Sequence, residues 1–429
     1  MKSKRPQSAP ESAREQLRRR KKRRARKAAA IVLCAALAAL CAAAALLWPG
    51  AVQAFAPASS LPQTGSQSEA ASSAPQPQPV VSTVRFSATG DNLIHDGIYL
   101  QARQRTGGDG YDFGPLYENL TEFYAGFDLN WINQETLVTD EIAPSSYPQF
   151  CTPGACGQAI YDLGMRVISM SNNHSYDKYA EGIAATQRFW ASMPDDLVTT
   201  GLWAGPEDYE NIPTLEKNGI TFAFLAYTET TNGIPTPADA PANVIYTSEE
   251  DVIERQIRRA REVADVVVVG AHWGVEGSHT VSDAQRALAQ KMADWGADVI
   301  IGTHPHVVQG IEILQSERGA AVPVAYSLGN FVSTQQYADN MISIIFTFDV
   351  TKTVQPDGAQ SIAIDNIRAV PAVTHYDAGF ANVREYLYRD YTPELAAQHG
   401  TRAYSARFDY DYIREMLLEN IDESYLQWD

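Results

Sequence analysis

The sequence predicts a layered α/β domain displayed behind a single transmembrane helix. Three observations predict it. From residue 81 onward, short β-branched runs alternate with helical stretches; residues 28–48 are apolar throughout and follow a basic segment; and residues 49–80, between the two, are rich in Pro, Ser, Gln and Ala. At 429 residues the chain can hold one large domain or two ordinary ones.

Residues 1–27 carry 13 Lys/Arg and 2 Asp/Glu, and the rest of the chain carries 21 and 49, so the net charge of −17 divides into +11 and −28. An acidic body of this kind argues against general electrostatic binding of nucleic acid, although local cations can still create a positive site within it. The basic run is expected to stay in the cytoplasm as a tail, with 28–48 crossing the lipid bilayer once and the C-terminal domain outside the cell. A cleaved signal peptide is the rival reading, since Val52-Gln53-Ala54 has the small-residue look of a cleavage site. Residues 49–80 read as a flexible linker. The linker contains Leu61-Pro62-Gln63-Thr64-Gly65, which looks like a sortase signal, but its order relative to the apolar span is reversed and chance explains it better.

Within the body, 84–88, 166–170, 221–226, 266–270 and 299–301 read as buried strands, and 322–326 and 341–350 as further ones. A helix is expected over 284–295, with Leu288, Met292 and Trp295 on one face and Gly296 ending it. Residues 81–380 are taken as the domain, and 381–429 as a C-terminal helical appendage, helical from about 409 to 420. Four cysteines are too few for a disulfide scaffold; Cys151 and Cys156 bracket a short loop, and their pairing is left open.

Polar clusters sit at or near the ends of these runs, where ligands gather in layered α/β folds. In Ile301-Gly302-Thr303-His304-Pro305-His306-Val307, two imidazoles stand two positions apart, and in an extended segment both point the same way. Asp91 ends the first strand after Gly90, with His95 as a pocket-wall candidate. Asn133 and Glu135 are two apart, and Glu135 suits a ligand shared between cations. Asn172-Asn173-His174 offers an amide oxygen and an imidazole able to protonate a leaving group, followed by Asp177. His272 follows four valines, and Glu276 can orient it or a substrate amine; Gly329 and Asn330 shape a loop beside the site. Each cluster alone has a bland reading as a turn or surface residue. Together they supply a hard-to-intermediate donor set suited to one or two divalent ions of Mn, Fe or Zn.

The ordered set Gly90-Asp91, Asn133-x-Glu135, Asn172-Asn173-His174-x-x-Asp177, His272-Trp273-Gly274-x-Glu276, Gly302-x-His304-Pro305-His306-Val307-x-Gln309 and Ser327-Leu328-Gly329-Asn330-Phe331 resembles the CapA family. These are bacterial capsule-synthesis, poly-γ-glutamate-associated proteins related to calcineurin-like metallophosphoesterases. The resemblance covers roughly 81–380. It implies a four-layer α-β-β-α sandwich with a metal centre at one edge. It also implies a membrane-tethered, extracellular role in making, exporting or anchoring poly-γ-glutamate or a related anionic envelope polymer beside membrane synthase components. By position, Asp91, Glu135, Asn173, His272, His304 and His306 match metal ligands of the wider superfamily. His174 matches its proton donor, with Asp177 beside it as the second catalytic candidate and Asn172, Glu276 and Asn330 expected to contact substrate. Two departures stand out. Asn92-Leu93 replaces the superfamily's x-His after the first Asp, so one ligand of the first metal is missing, and Lys178-Tyr179 follows Asp177 where many relatives have an early Gly. The expectation is therefore a metal-assisted polymer-binding or assembly protein, with a metal-dependent hydrolase of phosphoester or γ-glutamyl amide bonds as the alternative.

Overall fold

Fourteen strands make up the framework of the computed structural model, which describes residues 78–237 and 239–429. All of these residues fall within one unit. The expected tail (1–27), the anchor (28–48) and most of the linker lie outside the described residues. Among the described residues no helix is long and apolar enough to cross a membrane.

The strands are β1 (Val80–Asn92), β2 (Leu129–Asn133), β3 (Val167–Ser169), β4 (Val198–Thr200), β5 (Thr214–Lys217), β6 (Ile220–Thr228) and β7 (Val266–His272). They continue as β8 (Val299–Thr303), β9 (Ile311–Gln315), β10 (Ala321–Ala325), β11 (Asn330–Val332), β12 (Ile342–Val354), β13 (Gln360–Asp377) and β14 (Ala381–Leu387). One sheet runs β14-β13-β12-β1-β2-β3-β4, with β11 also beside β1; the other runs β5-β6-β7-β8-β10-β9. Each sheet has a parallel half, β1 to β4 in the first and β6, β7, β8 and β10 in the second. Parallel neighbours end on the same side, so the residues leaving β1, β2, β3, β7 and β8 collect at common edges.

Alternation along the strands builds two cores. Phe86 of β1 stacks on Phe348 of β12 at 4.7 Å and meets Phe222 and Phe224 of β6 at 6.1 and 6.4 Å, so the two sheets face each other through aromatic rings. On β7, Val266 and Val268 enter this core, whereas Val267, Val269 and Ala271 enter a second one with Ile253, Ile257 and Ala260 of the Glu250–Val263 helix and Ala289, Met292 and Ala293 of the Asp283–Trp295 helix. A strand buried on both faces must be apolar at every position, which accounts for the four consecutive valines. The Asp283–Trp295 helix starts with a capping box: Ser282 accepts from Gln285 N–H while the Gln285 side chain accepts from Ser282 N–H.

The antiparallel half was only partly legible. β13 pairs along β12 through residues that include Asp365, Arg368 and Pro371, with an irregularity at the left-handed Asn366 between them, a run that does not read as a strand. Pro371 is tolerated because Ile344, its opposite, turns its N–H to Leu328 O (3.0 Å). The pair is thus of the non-hydrogen-bonded kind, and the missing donor faces the side where β14, whose pairing ends at Ala372–Leu387, has stopped. The segment from 381, expected as a helical appendage, first contributes edge strand β14 and only then the helices Pro393–Gln398 and Tyr410–Asn420. The buried carboxyl of Glu385 breaks the apolar alternation by which β14 would otherwise be read. Cys151 and Cys156 are buried free thiols in this structure, and burial pushes their pKa values up to about 11 and about 12 respectively.

Candidate metal centre

Two close backbone approaches assemble the centre. A Cβ on Gly90 would lie 1.9 Å from Gly329 O, and one on Gly302 would lie 2.0 Å from Tyr326 O, so only glycine lets these strands close up beneath Asp91 and His304. The strand expectation for the His pair needs correcting. β8 ends at Thr303, and His304 and His306 both lie in the left-handed region, at φ 97° and 58°. The two rings, with centroids 6.0 Å apart, converge through this uncommon backbone and not through strand alternation. Non-glycine residues in that region cost about 1–3 kcal/mol each and collect at functional sites.

Asp91, Glu135, Asn173, His272, His304 and His306 are all buried and all meet. Asp91 Oδ1 accepts from Asn133 Nδ2 (2.7 Å), and Asp91 Oδ2 accepts from the His304 N–H (3.3 Å). His306 Nδ1 faces two acceptors, Asp91 Oδ2 (3.1 Å) and Asn330 Oδ1 (2.9 Å), so Nδ1 carries the proton and Nε2 is left with its lone pair. Nε2 points towards Glu135 Oε1 at 3.7 Å, the same distance that separates that oxygen from His272 Nε2. His272 Nε2 also lies 3.0 Å from Asn173 Oδ1 and 3.1 Å from His304 Nδ1. Ligand atoms of Asp91, Glu135 and His306 lie within 4.8 Å of one another, as do those of Glu276, His304 and His306.

The electrostatics suit a cation. Neither oxygen of Glu135 has a hydrogen-bond partner, an expensive state for a buried carboxyl. Burial and then the charge of Asp91 push it well above the ordinary carboxylate range. Burial, followed by the neighbouring imidazoles, pulls His272 well down and His304 down, which keeps both in the neutral form that binds metal. Burial, the largest single influence on His306, opposes its protonation, but the bond to Asp91, the charges of Asp91 and Glu276 and the bond to Asn330 together outweigh it and leave His306 raised. An orphaned carboxyl between the imidazoles of His272 and His306 fits a divalent ion.

The remaining predicted residues surround this core. His174 Nδ1 lies 2.7 Å from Asp177 Oδ2, which also accepts from Phe150 N–H (2.6 Å), and Phe150 packs edge-on against the His174 ring at 4.6 Å. His95 packs edge-on against the other side of that wall, 5.2 Å from Phe150. Glu276 is exposed at the mouth. Asn172 and Asn330 are buried and committed to protein. Asn172 Oδ1 accepts from His174 N–H and its Nδ2 donates to Gln134 O, both at 3.0 Å, while Asn330 Nδ2 donates to Ser333, Gln335 and Asn340. Through these bonds the two brace His174 and His306. At the position of the missing histidine, Leu93 is buried and Asn92 is spent on Gln134 and Tyr117, so neither adds a ligand. Asn133, visible in the sequence as part of a motif but with no role of its own, clamps Asp91, whereas Asn232 went unnoticed, its only signal being an Asn in a turn.

The model of the family described as bacterial capsule synthesis protein PGA_cap matches residues 85–335, more than half of the chain. The chain belongs to that family. It is 31% identical over 196 residues to the PGA biosynthesis protein CapA of Bacillus subtilis (strain 168), across 46% of this chain and 50% of that protein. It is 35% identical over 183 residues to the capsule biosynthesis protein CapA of Bacillus anthracis, across 42% of each. The chain thus spans half or less of the length of these curated relatives. Among solved structures it is similar to the NAD nucleotidase NadN of Haemophilus influenzae, at TM-score 0.38 and 12% identity over 82% of this chain and 57% of that one.

Proposed function

We propose that this CapA-family chain acts at the cell membrane, with its body outside the cell, in the synthesis, export or anchoring of a capsular anionic polymer such as poly-γ-glutamate. In this reading the body is a four-layer α-β-β-α sandwich of metallophosphoesterase type held on a single-pass anchor at 28–48. One or two ions of Mn, Fe or Zn are held by Asp91, Glu135, Asn173, His272, His304 and His306. The observation that carries the reading is the buried, partnerless carboxyl of Glu135 set between two imidazoles in a chain of this family. When bound, the metal supplies a positive charge that offsets the acidic body and grips a carboxylate or oxyanion, and it lowers the pKa of bound water.

A second reading, hydrolysis of a phosphoester or γ-glutamyl amide bond, is favoured by the His174–Asp177 pair. Asp177 holds Nδ1 of His174 at 2.7 Å and fixes the ring, which leaves Nε2 to carry a proton to a leaving atom. Asp177 acts here as a positioning residue. Glu276, exposed at the mouth, meets the substrate before it reaches the buried ligands.

The test is the metal content of the full chain purified in detergent, beside His304→Ala/His306→Ala, with both incubated with poly-γ-glutamate and with a generic phosphodiester. Metal lost in the double variant, together with polymer retention and no turnover, supports the binding role. Metal-dependent turnover of either substrate selects the hydrolase. A folded wild type that takes up no Mn, Fe or Zn ends both.

A further inference from the structure

Asn232 lies outside every motif described above. It sits exposed in the loop after β6, at φ 53°, a left-handed conformation that asparagine tolerates. The loop is pinned to the second sheet: Glu229 N–H donates to His272 O (2.9 Å), and Glu229 Oε2 accepts from Gly274 N–H (2.8 Å). The Tyr246 hydroxyl bonds Thr231 Oγ1 (2.7 Å) and accepts from Thr236 N–H (3.0 Å). From this fixed base the Asn232 carboxamide reaches the first-sheet loop on the far side of the centre. Its Oδ1 accepts from Asn173 Nδ2 (3.3 Å), and its Nδ2 lies 3.3 and 3.5 Å from the two ring nitrogens of His174.

A carboxamide has one oxygen and one nitrogen on ends of nearly equal size, and only the oxygen can bind a cation. Asn173 turns its oxygen to His272 Nε2 (3.0 Å) and its nitrogen to Asn232. Turned over, it would present an NH₂ group to the centre and set its oxygen against the oxygen of Asn232. We propose that Asn232 is a positioning residue that keeps the oxygen of Asn173 turned to the metal centre by accepting a hydrogen bond from its nitrogen, and so clasps the two sheets' loops across the site. The inference rests on the metal reading above and names a residue that the reading does not include.

The test is Mn²⁺ and Zn²⁺ affinity of the full chain in detergent, measured by competition with a chelator. Asn232→Gly keeps the left-handed turn while removing the acceptor, and loss of such a supporting bond weakens metal binding about 10–100-fold. Asn232→Asp keeps an oxygen facing Asn173 and is expected to hold affinity within about threefold of wild type or above it. In an Asn173→Asp background either carboxylate oxygen faces the centre, so adding Asn232→Gly should then cost less than about twofold. Wild-type affinity in Asn232→Gly overturns the inference alone, as does equal weakening in the Gly and Asp variants or an undiminished loss in the Asn173→Asp background. A wild type that binds neither ion overturns the metal reading, and this inference with it.

Discussion

Glu135 and Glu385 are both fully buried carboxyls with neither oxygen hydrogen-bonded, yet their surroundings differ. Glu135 faces imidazoles and Asp91, a setting that a cation would relieve. Glu135→Gln is expected to raise the melting temperature of the metal-free protein at neutral pH, since burial and the charge of Asp91 penalise an ionisable carboxyl there and the carboxamide carries no such charge. The same change should abolish the stabilisation that added metal gives wild type. A melting series with and without Zn²⁺ reads both effects, and an unchanged response to metal would remove Glu135 from the ligand set. Glu385 has no imidazole beside it: burial raises it well above the ordinary range, so the fold holds it protonated. The folded state then binds the proton more tightly than the unfolded one, and this residue's contribution to stability is full below the unfolded pKa of about 4.3 and falls as pH rises above it. The stability gained in Glu385→Gln relative to wild type should therefore grow from about pH 4.5 upward, by at most about 1.4 kcal/mol per pH unit. Denaturant titrations at pH 4, 6 and 8 check the slope. An advantage that shrank with pH would mean that Glu385 is ionised in the fold.

At the scale of elements, the centre depends on where β1, β7 and β8 stop. β7 and β8 end in register at His272 and Thr303, and β1 brings Asp91 level with Asn133 of β2 and Asn330 of β11. Gly302 lets β8 run close under Tyr326, and Gly302→Ala would drive a methyl group into that carbonyl. The expected cost is about 3 kcal/mol or more in urea unfolding, with weakened metal retention because His304 follows two residues later. Full stability in that variant would mean that the backbone at Tyr326 yields. Gly302 and Gly90 were both visible in the sequence as parts of motifs, but the carbonyls they avoid come from residues 24 and 239 positions away, and local pattern carries no trace of those. The left-handed backbone at His304 and His306 was likewise hidden. Spacing two apart suggested a strand, and the rings converge by a different route.

For the whole molecule, the acidic body, the apolar span and the linker bear on where the chain works. The proposed anchor predicts that the full chain sediments with membranes and resists high-salt extraction, whereas a chain starting at residue 78 is released. Recovery of both in the same soluble fraction would count against the anchor. By itself the sequence determined β1 and β3 of the first sheet and β6, β7, β8 and β10 of the second, though not β2 or β4, together with the Asp283–Trp295 and Tyr410–Asn420 helices and the six candidate ligands. These are legible because burial on both faces of a strand demands unbroken apolar runs, and because metal donors come from few residue types. Only the tertiary structure decided that β13 and β14 extend the first sheet, that Asn172 and Asn330 brace histidines, and that Asn232 reaches across to Asn173. Those outcomes depend on partners distant in the chain. A polar side chain such as Glu385 or Asn232 looks the same in sequence whether it meets water, a carboxamide or nothing at all.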